Sequence, residues 1–327
     1  MIKNSRLIII AKKEYTDAFR NALFRVLALF LFLLVGVSIL VASLAFQSHV
    51  AQYHAALAQF TAVQLRGVVL SPPAYFPLQI LRAAIEYLEI IGAIIALVLG
   101  YLSIAKEKGN NTSRLLLTRS VTRADFVFGK ILGNSAILLS LLVVIGVFII
   151  AAVSGIGHVI FSGTELIKLM LVLGYTYVYL AFFFCFSAML ALLISDLPRA
   201  LMLSFALWLV FVLIIPQVGD TMDPDNQVPG GFFASMQMTQ DGQKVVIDQF
   251  KQYENFRNML EVSSLEKHYE RLAFATLGIK TMYNDKDLGF IMNDKWPDLA
   301  ILFLFLFGSA GLMYASANSK RIIALSP

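Results

Sequence analysis

Residues 100–133, GYLSIAKEKGNNTSRLLLTRSVTRADFVFGKILG, lie between two long apolar runs and decide how the whole chain is read. Lys106, Lys108, Arg114, Arg119, Arg123 and Lys130 stand against Glu107 and Asp125. Short loops rich in Lys and Arg lie on the cytoplasmic side of a membrane protein, so the reading is a cytoplasmic connector. Gly109, Asn110 and Asn111 stop the incoming helix, because Gly and Asn tolerate the left-handed conformation that ends helices. Thr112 and Ser113 are caps for a short helix whose apolar stripe is Leu115, Leu116 and Leu117. Thr122 precedes Asp125 by three residues, an acidic variant of the capping box, and opens the next long helix. The expected product is a short amphipathic helix across the membrane surface, a handle that a cytoplasmic partner can grip.

The string Glu107, Thr112, Leu115, Leu116, Leu117, Thr118, Arg119, Arg123, Gly129 and Lys130 resembles the E…GT…LLLS-R-P…R…GK signature of type 2 ABC transporter permeases. It is most similar to the branch that includes the permease of the nitrous-oxide-reductase maturation system. Asn111 stands where that family usually has Gly, a mild change because Asn also adopts positive φ. Ser120 stands where it usually has Pro, which leaves the turn less fixed. The resemblance implies that the segment near 110–120 is a coupling helix docking on a separate ATPase subunit. It assigns ATPase coupling to Glu107, Thr112, Arg114, Leu115, Leu116, Leu117, Arg119, Arg123, Gly129 and Lys130. ATP and Mg would then be bound by that partner, and this chain would hold no cofactor.

Composition points the same way. Of 327 residues, 58% are hydrophobic and 14% charged, with 26 Phe, which suits a polytopic membrane protein rather than a soluble domain. The one cysteine, Cys185, excludes an intrachain disulfide and a Cys-based metal site. Inside AFFFCFSAML it reads as a small buried or lipid-facing thiol.

Residues 1–25 are basic and amphipathic, an interfacial helix with its cations toward anionic lipid. Six spans follow, expected at 26–46, 83–105, 131–153, 165–194, 200–215 and 299–317. Each is long enough, or nearly so, for roughly 30 Å of hydrocarbon. Residues 47–82 carry few cations and read as external. His49 and His54, five apart, share no helical face, so no metal site is assigned. Arg82, Glu86 and Glu89 open the second span. Intramembrane carboxylates are candidates for a pathway or gate, and an i,i+4 Arg82–Glu86 pair at the interface is the plainer reading. Tyr175, Tyr177 and Tyr179, then Phe182, Phe183, Phe184 and Phe186, read as packing and interfacial anchoring, with an aromatic groove for an apolar substrate as the second reading. Pro198 starts the fifth span and Pro216 ends it.

The expected organisation is an all-α polytopic membrane protein: an N-terminal interfacial helix over 1–25, five spans and the coupling helix over 26–216, a helical extracytoplasmic insert over 217–297, and the sixth span with a cytoplasmic tail over 298–327. In the insert, residues 243–260 and 265–277 carry helical spacing, and Ser263 with Glu266 forms a capping-box pattern. Asp223 and Asp225 lack the glycine and glutamate of a calcium loop. Six spans place both termini in the cytoplasm of a plasma-membrane protein.

The chain carries no G-x-x-x-x-G-K-[ST], H-E-x-x-H or G-x-S-x-G motif. No catalytic residue is assigned, and nucleic-acid binding has little support. Three function classes stay open at this point. The first is a permease subunit moving an unknown substrate, usually outward, as a homo- or heterodimer with about twelve spans and two ATPases. The second is a mechanotransmission or assembly protein acting on an extracytoplasmic partner. The third is an intramembrane enzyme using Glu86 and Glu89.

Overall fold

The computed structural model describes residues 2–62, 77–109, 122–158, 160–223, 228, 232–284 and 286–317. Among them there is no strand, and six helices are long and apolar enough to cross a membrane. The architecture is all-α and polytopic. The expected coupling helix, with Thr112, Arg114, Leu115, Leu116, Leu117 and Arg119, lies outside the described residues.

Helix α1 (Ile2–Arg20) ends at Asn21, whose Oδ1 accepts from the Leu23 and Phe24 amides at 2.9 and 3.3 Å and so caps α2 (Ala22–Ala62). A 3₁₀ turn (Pro77–Leu81) leads into α3 (Arg82–Gly109). The capping box at Thr122 forms as expected: the Asp125 amide donates to Thr122 Oγ1 and the Thr122 amide to Asp125 Oδ2, both at 3.1 Å, opening α4 (Arg123–Ile156). A second box, Ser162 with Glu165, opens α5 (Gly163–Leu193).

The fifth span does not stop at Pro216. Helix α6 (Leu197–Trp208) widens into a π-helical segment (Leu209–Ile214) and continues as α7 (Ile215–Met222). A proline lacks an amide donor and clashes with the carbonyl four residues back. Here the Ile215 amide bonds five residues back to Val210, so the ladder has already shifted to the wider π register when Pro216 is reached. The last span also starts earlier than expected. Helix α11 (Leu288–Ser316) runs through Pro297 because its first turns are anchored: Asp287 caps the Gly289 amide, and Ile291 is fully buried against Ala275 and Tyr283.

The insert is helical, as α8 (Gln240–Gln249), α9 (Lys251–Ser263) and α10 (Leu265–Leu277). Helix α10 is not laid over the bundle but built into it, packing against α3, α5 and α11. All but two of its residues are buried, Glu266, Lys267 and His268 included. The expected box at Ser263 is absent. Ser264 is the N-cap residue, its hydroxyl donates instead to the Phe211 carbonyl at 2.6 Å, and Glu266 turns inward.

Helices α3 and α5 form the centre, with α11 and α10 against α5, α2 against α3, and α1 along α4. At Gly100 the α3 backbone approaches Phe184 and Ser187 of α5 so closely that a Cβ would overlap them.

Candidate functional site

Helix α1 presents Ile10, Glu14 and Ala18 to α4, a buried i,i+4 stripe that contains a carboxylate. Gly129 is what lets the two helices close, since a Cβ there would stand 2.8 Å from Ile10. The next residue, Lys130, is fully buried. Its ammonium lies 2.7 Å from Glu14 Oε1 and 3.0 Å from Glu107 Oε1, and donates to the Ser103 carbonyl at 2.6 Å. All three ammonium protons therefore have acceptors, and the Phe126 ring lies 4.9 Å away. Lys13 approaches Glu107 at 3.5 Å, and Asn134 donates to Glu14 Oε2 at 3.4 Å. Burial works to raise the Glu14 carboxyl, but the Lys130 charge overrides it and holds the group below its ordinary value.

Three chain segments meet at this triad, and two of them flank residues 110–121. The neighbours of Glu107 extend the lock. Lys106 donates to the Asp17 carbonyl at 3.3 Å, and Lys108 caps the end of α5 by donating to the Ala191 and Ile194 carbonyls. At the other flank, the Arg123 guanidinium sits 4.4 Å over the Tyr314 ring and donates to the Tyr314 carbonyl, joining α4 to α11.

The carboxylates at the opposite end of α3 divide. Glu86 pairs with Arg82 at 3.0 Å near the surface. Glu89 is buried and shares a hydrogen bond with Glu266 of α10. Burial pushes the Glu266 carboxyl up to about 7. Lys267 beside it is opposed by burial, but Glu270, Glu266 and Asp220 hold its ammonium above its ordinary range, with Asp220 at 2.8 Å and Glu270 at 2.7 Å. Beneath lies Tyr179, stacked on Tyr269 at 4.7 Å, whose hydroxyl meets Thr176 Oγ1 at 2.8 Å.

These groups wall a polar space. A cavity of about 730 Å³ is lined by Arg82, Asp220, Arg257, Lys267, Glu270 and Arg271, among others, and an adjoining one of about 250 Å³ reaches Glu86, Glu89 and Glu266. Arg257 pairs with Asp223 and Glu254 at 3.0 Å, and Arg271 with Glu261, so the walls alternate in sign. Such a surface suits a polar or zwitterionic guest better than an apolar one.

Of the residues singled out from sequence, Glu107, Arg123, Gly129 and Lys130 are drawn to one end of the bundle and Glu86 and Glu89 to the other. Glu14 is not among those singled out, Lys108 reads only as one of the connector's cations, and Glu266 only as part of a capping box. A carboxylate on the apolar stripe of α1 was a usable signal for Glu14. Glu266 had none, since its spacing from Ser263 matches an ordinary helix start. A family model described as "ABC-2 family transporter protein" matches residues 8–316. No curated protein matches the chain.

Proposed function

Because the chain belongs to the ABC-2 transporter family and is a membrane-embedded permease subunit, we propose that ATP hydrolysis on a separate subunit drives it through α3. Residues 110–121, with Thr112, Arg114, Leu115, Leu116, Leu117 and Arg119, are the proposed ATPase contact. The observation that supports this most is that one uninterrupted helix carries Glu107 in the buried triad and Glu89 at the wall of the polar cavity. Eighteen residues separate them, roughly 27 Å at 1.5 Å per residue, which is close to the thickness of the hydrocarbon layer.

In this mechanism the partner's closure displaces the connector. The triad binds α1, α3 and α4 together, so they move as one body. The far end of α3 then shifts Glu89 against Glu266 and changes the shape of the cavity. The transporter works as a dimer of permeases with two ATPases, which bind ATP and Mg, and moves a polar substrate outward. It sits in the plasma membrane with both termini in the cytoplasm.

The test is co-purification followed by reconstitution. An ATPase subunit should bind the intact permease and be lost on Leu116→Asp. With the ATPase bound in vesicles, Glu107→Ala should leave hydrolysis measurable and abolish ATP-dependent substrate movement. Binding that survives Leu116→Asp, or transport that survives Glu107→Ala, contradicts the proposal.

A further inference from the structure

The two polar cavities differ in charge as well as in size. Arg82, Gln217, Asp220, Lys267 and Glu270 line both, so the smaller is an inner chamber of the larger. The larger, of about 730 Å³, has five cationic and four acidic side chains in its wall, close to balance. The inner chamber, of about 250 Å³, sets Arg82 and Lys267 against five carboxyls, those of Glu86, Glu89, Asp220, Glu266 and Glu270. It is smaller than the roughly 300–1,000 Å³ of whole small-molecule sites, which suits one group of a larger guest.

Both cations of the chamber are already engaged. Arg82 pairs with Glu86 at 3.0 Å, and the Lys267 ammonium is held by Asp220 of α7 at 2.8 Å and Glu270 at 2.7 Å. Glu89 and Glu266 are left to each other. Both are buried, and the hydrogen bond between them requires one shared proton, since two bare carboxylates would repel. The π-helical segment adds only Val212 and Leu213 to this wall. From α5, Tyr179 lies within reach of both their charges; it is fully buried, and its hydroxyl has no hydrogen-bond partner among the described residues. The Tyr269 hydroxyl is instead engaged by Thr176. A donor held in reserve beneath two carboxyls fits a pair that gives up its proton. Among the described residues no three His, Cys, Asp or Glu side chains converge as metal ligands do, which points away from a divalent ion.

We infer that the inner chamber seats an ammonium group of the substrate, which takes the place of the proton shared by Glu89 and Glu266. The proton leaves to water in the cavity, and the only bond broken is its O–H bond. One positive charge replaces another, so the exchange never leaves both buried carboxylates bare. The inference rests on the polar cavity being the substrate's site. It narrows the guest to one with an amine at its leading end, and the near-balanced outer walls suit a neutral or zwitterionic remainder.

The probe is ethylammonium, with ethanol as its uncharged counterpart. The full chain in phosphatidylcholine nanodiscs, without ATPase, is titrated with each, and binding is read by saturation-transfer NMR with empty nanodiscs subtracted. An alkylammonium, with a pKa near the roughly 10.4 of Lys, stays charged between pH 5 and pH 8, so any pH dependence belongs to the protein. Burial pushes the Glu266 carboxyl up to about 7. Competition with the proton should therefore weaken ethylammonium binding by about tenfold per pH unit below that value and cease above it. Glu89→Gln and Glu266→Gln should each weaken binding at pH 8 by at least about tenfold and flatten the pH profile. The parent's pH profile decides the matter even where a variant fails to fold. Ethylammonium bound no tighter than ethanol, bound equally at pH 5 and pH 8, or bound undiminished by the folded variants overturns the inference. Neither ATP nor transport enters the measurement, so its failure leaves coupling through α3 standing, and failure of that coupling leaves the ammonium seat standing.

Discussion

Glu107 and Lys130 close the base of the 110–121 connector with a buried ion pair at 3.0 Å, and Glu14 of α1 completes it at 2.7 Å. The connector therefore springs from two helix ends that are fixed to each other and to α1. A force applied between those ends has no free hinge at the root in which to dissipate.

Removing one member of the triad should be far worse than removing all of it. Lys130→Ala leaves two buried carboxylates facing each other, and the expected loss is about 3–5 kcal/mol. The triple change Glu14→Gln, Lys130→Met and Glu107→Gln removes every charge together and should retain most of the stability. Thermal unfolding of the purified protein in detergent, compared across the variants, checks this. A triple variant as unstable as Lys130→Ala would refute the assignment.

Gly129 should tolerate nothing larger. Ile10 would meet any added Cβ at 2.8 Å, so Gly129→Leu must push α1 off α4 and open the triad. A cost of about 1–3 kcal/mol is expected, together with faster amide hydrogen exchange in α1.

The Arg82–Glu86 pair, by contrast, is exposed at 3.0 Å. Glu86→Gln should change stability by no more than about 1 kcal/mol and by less in high salt. Turnover altered by Glu86→Gln with assembly intact would mark it as a pathway residue, and unchanged turnover would leave it an interfacial pair.

Glu266 sets a pH dependence whose sign follows from its environment. Its native value of about 7 stands above the ordinary 4.5. At low pH both folded and unfolded chains hold the proton. As pH rises from 4.5 toward 7 the unfolded chain releases it first, so stability falls, and above 7 the full loss persists. Glu266→Gln should therefore gain stability over the parent at pH 8, by up to about 3 kcal/mol, and the gap should narrow at pH 5. Unfolding midpoints at the two pH values decide it, and a gap equal at both would count against the buried Glu89–Glu266 pair.

Much of this arrangement is legible in the sequence. Hydrophobic runs located six spans, and the Thr122–Asp125 box marked where α4 begins. Helix ends near proline were less legible. Pro216 reads as a terminator by local rules and the sixth span is expected only after Pro297, yet a π register at one and the burial of Ile291 at the other carry the helices through. The deepest gap was α10. Its sequence, LEKHYERLAFATL, looks like a solvated amphipathic helix, and charge composition alone hides the burial of Glu266, Lys267 and His268. Partners on other segments make that burial tolerable: Glu89 for Glu266, Asp220 for Lys267, and Asp298 for His268 at 2.6 Å. No local pattern names such partners.

The central claim, that motion at the triad reaches the polar cavity through α3, can be read as one distance. In a Cys185→Ala background, spin labels at Gln217 and Lys280, both exposed on the cavity rim, are followed with the ATPase-bound permease in nanodiscs. The account predicts that ATP shifts the distance between the labels and that Glu107→Gln abolishes the shift while the ATPase stays bound. A distance indifferent to ATP, or one that moves equally in the variant, would contradict it.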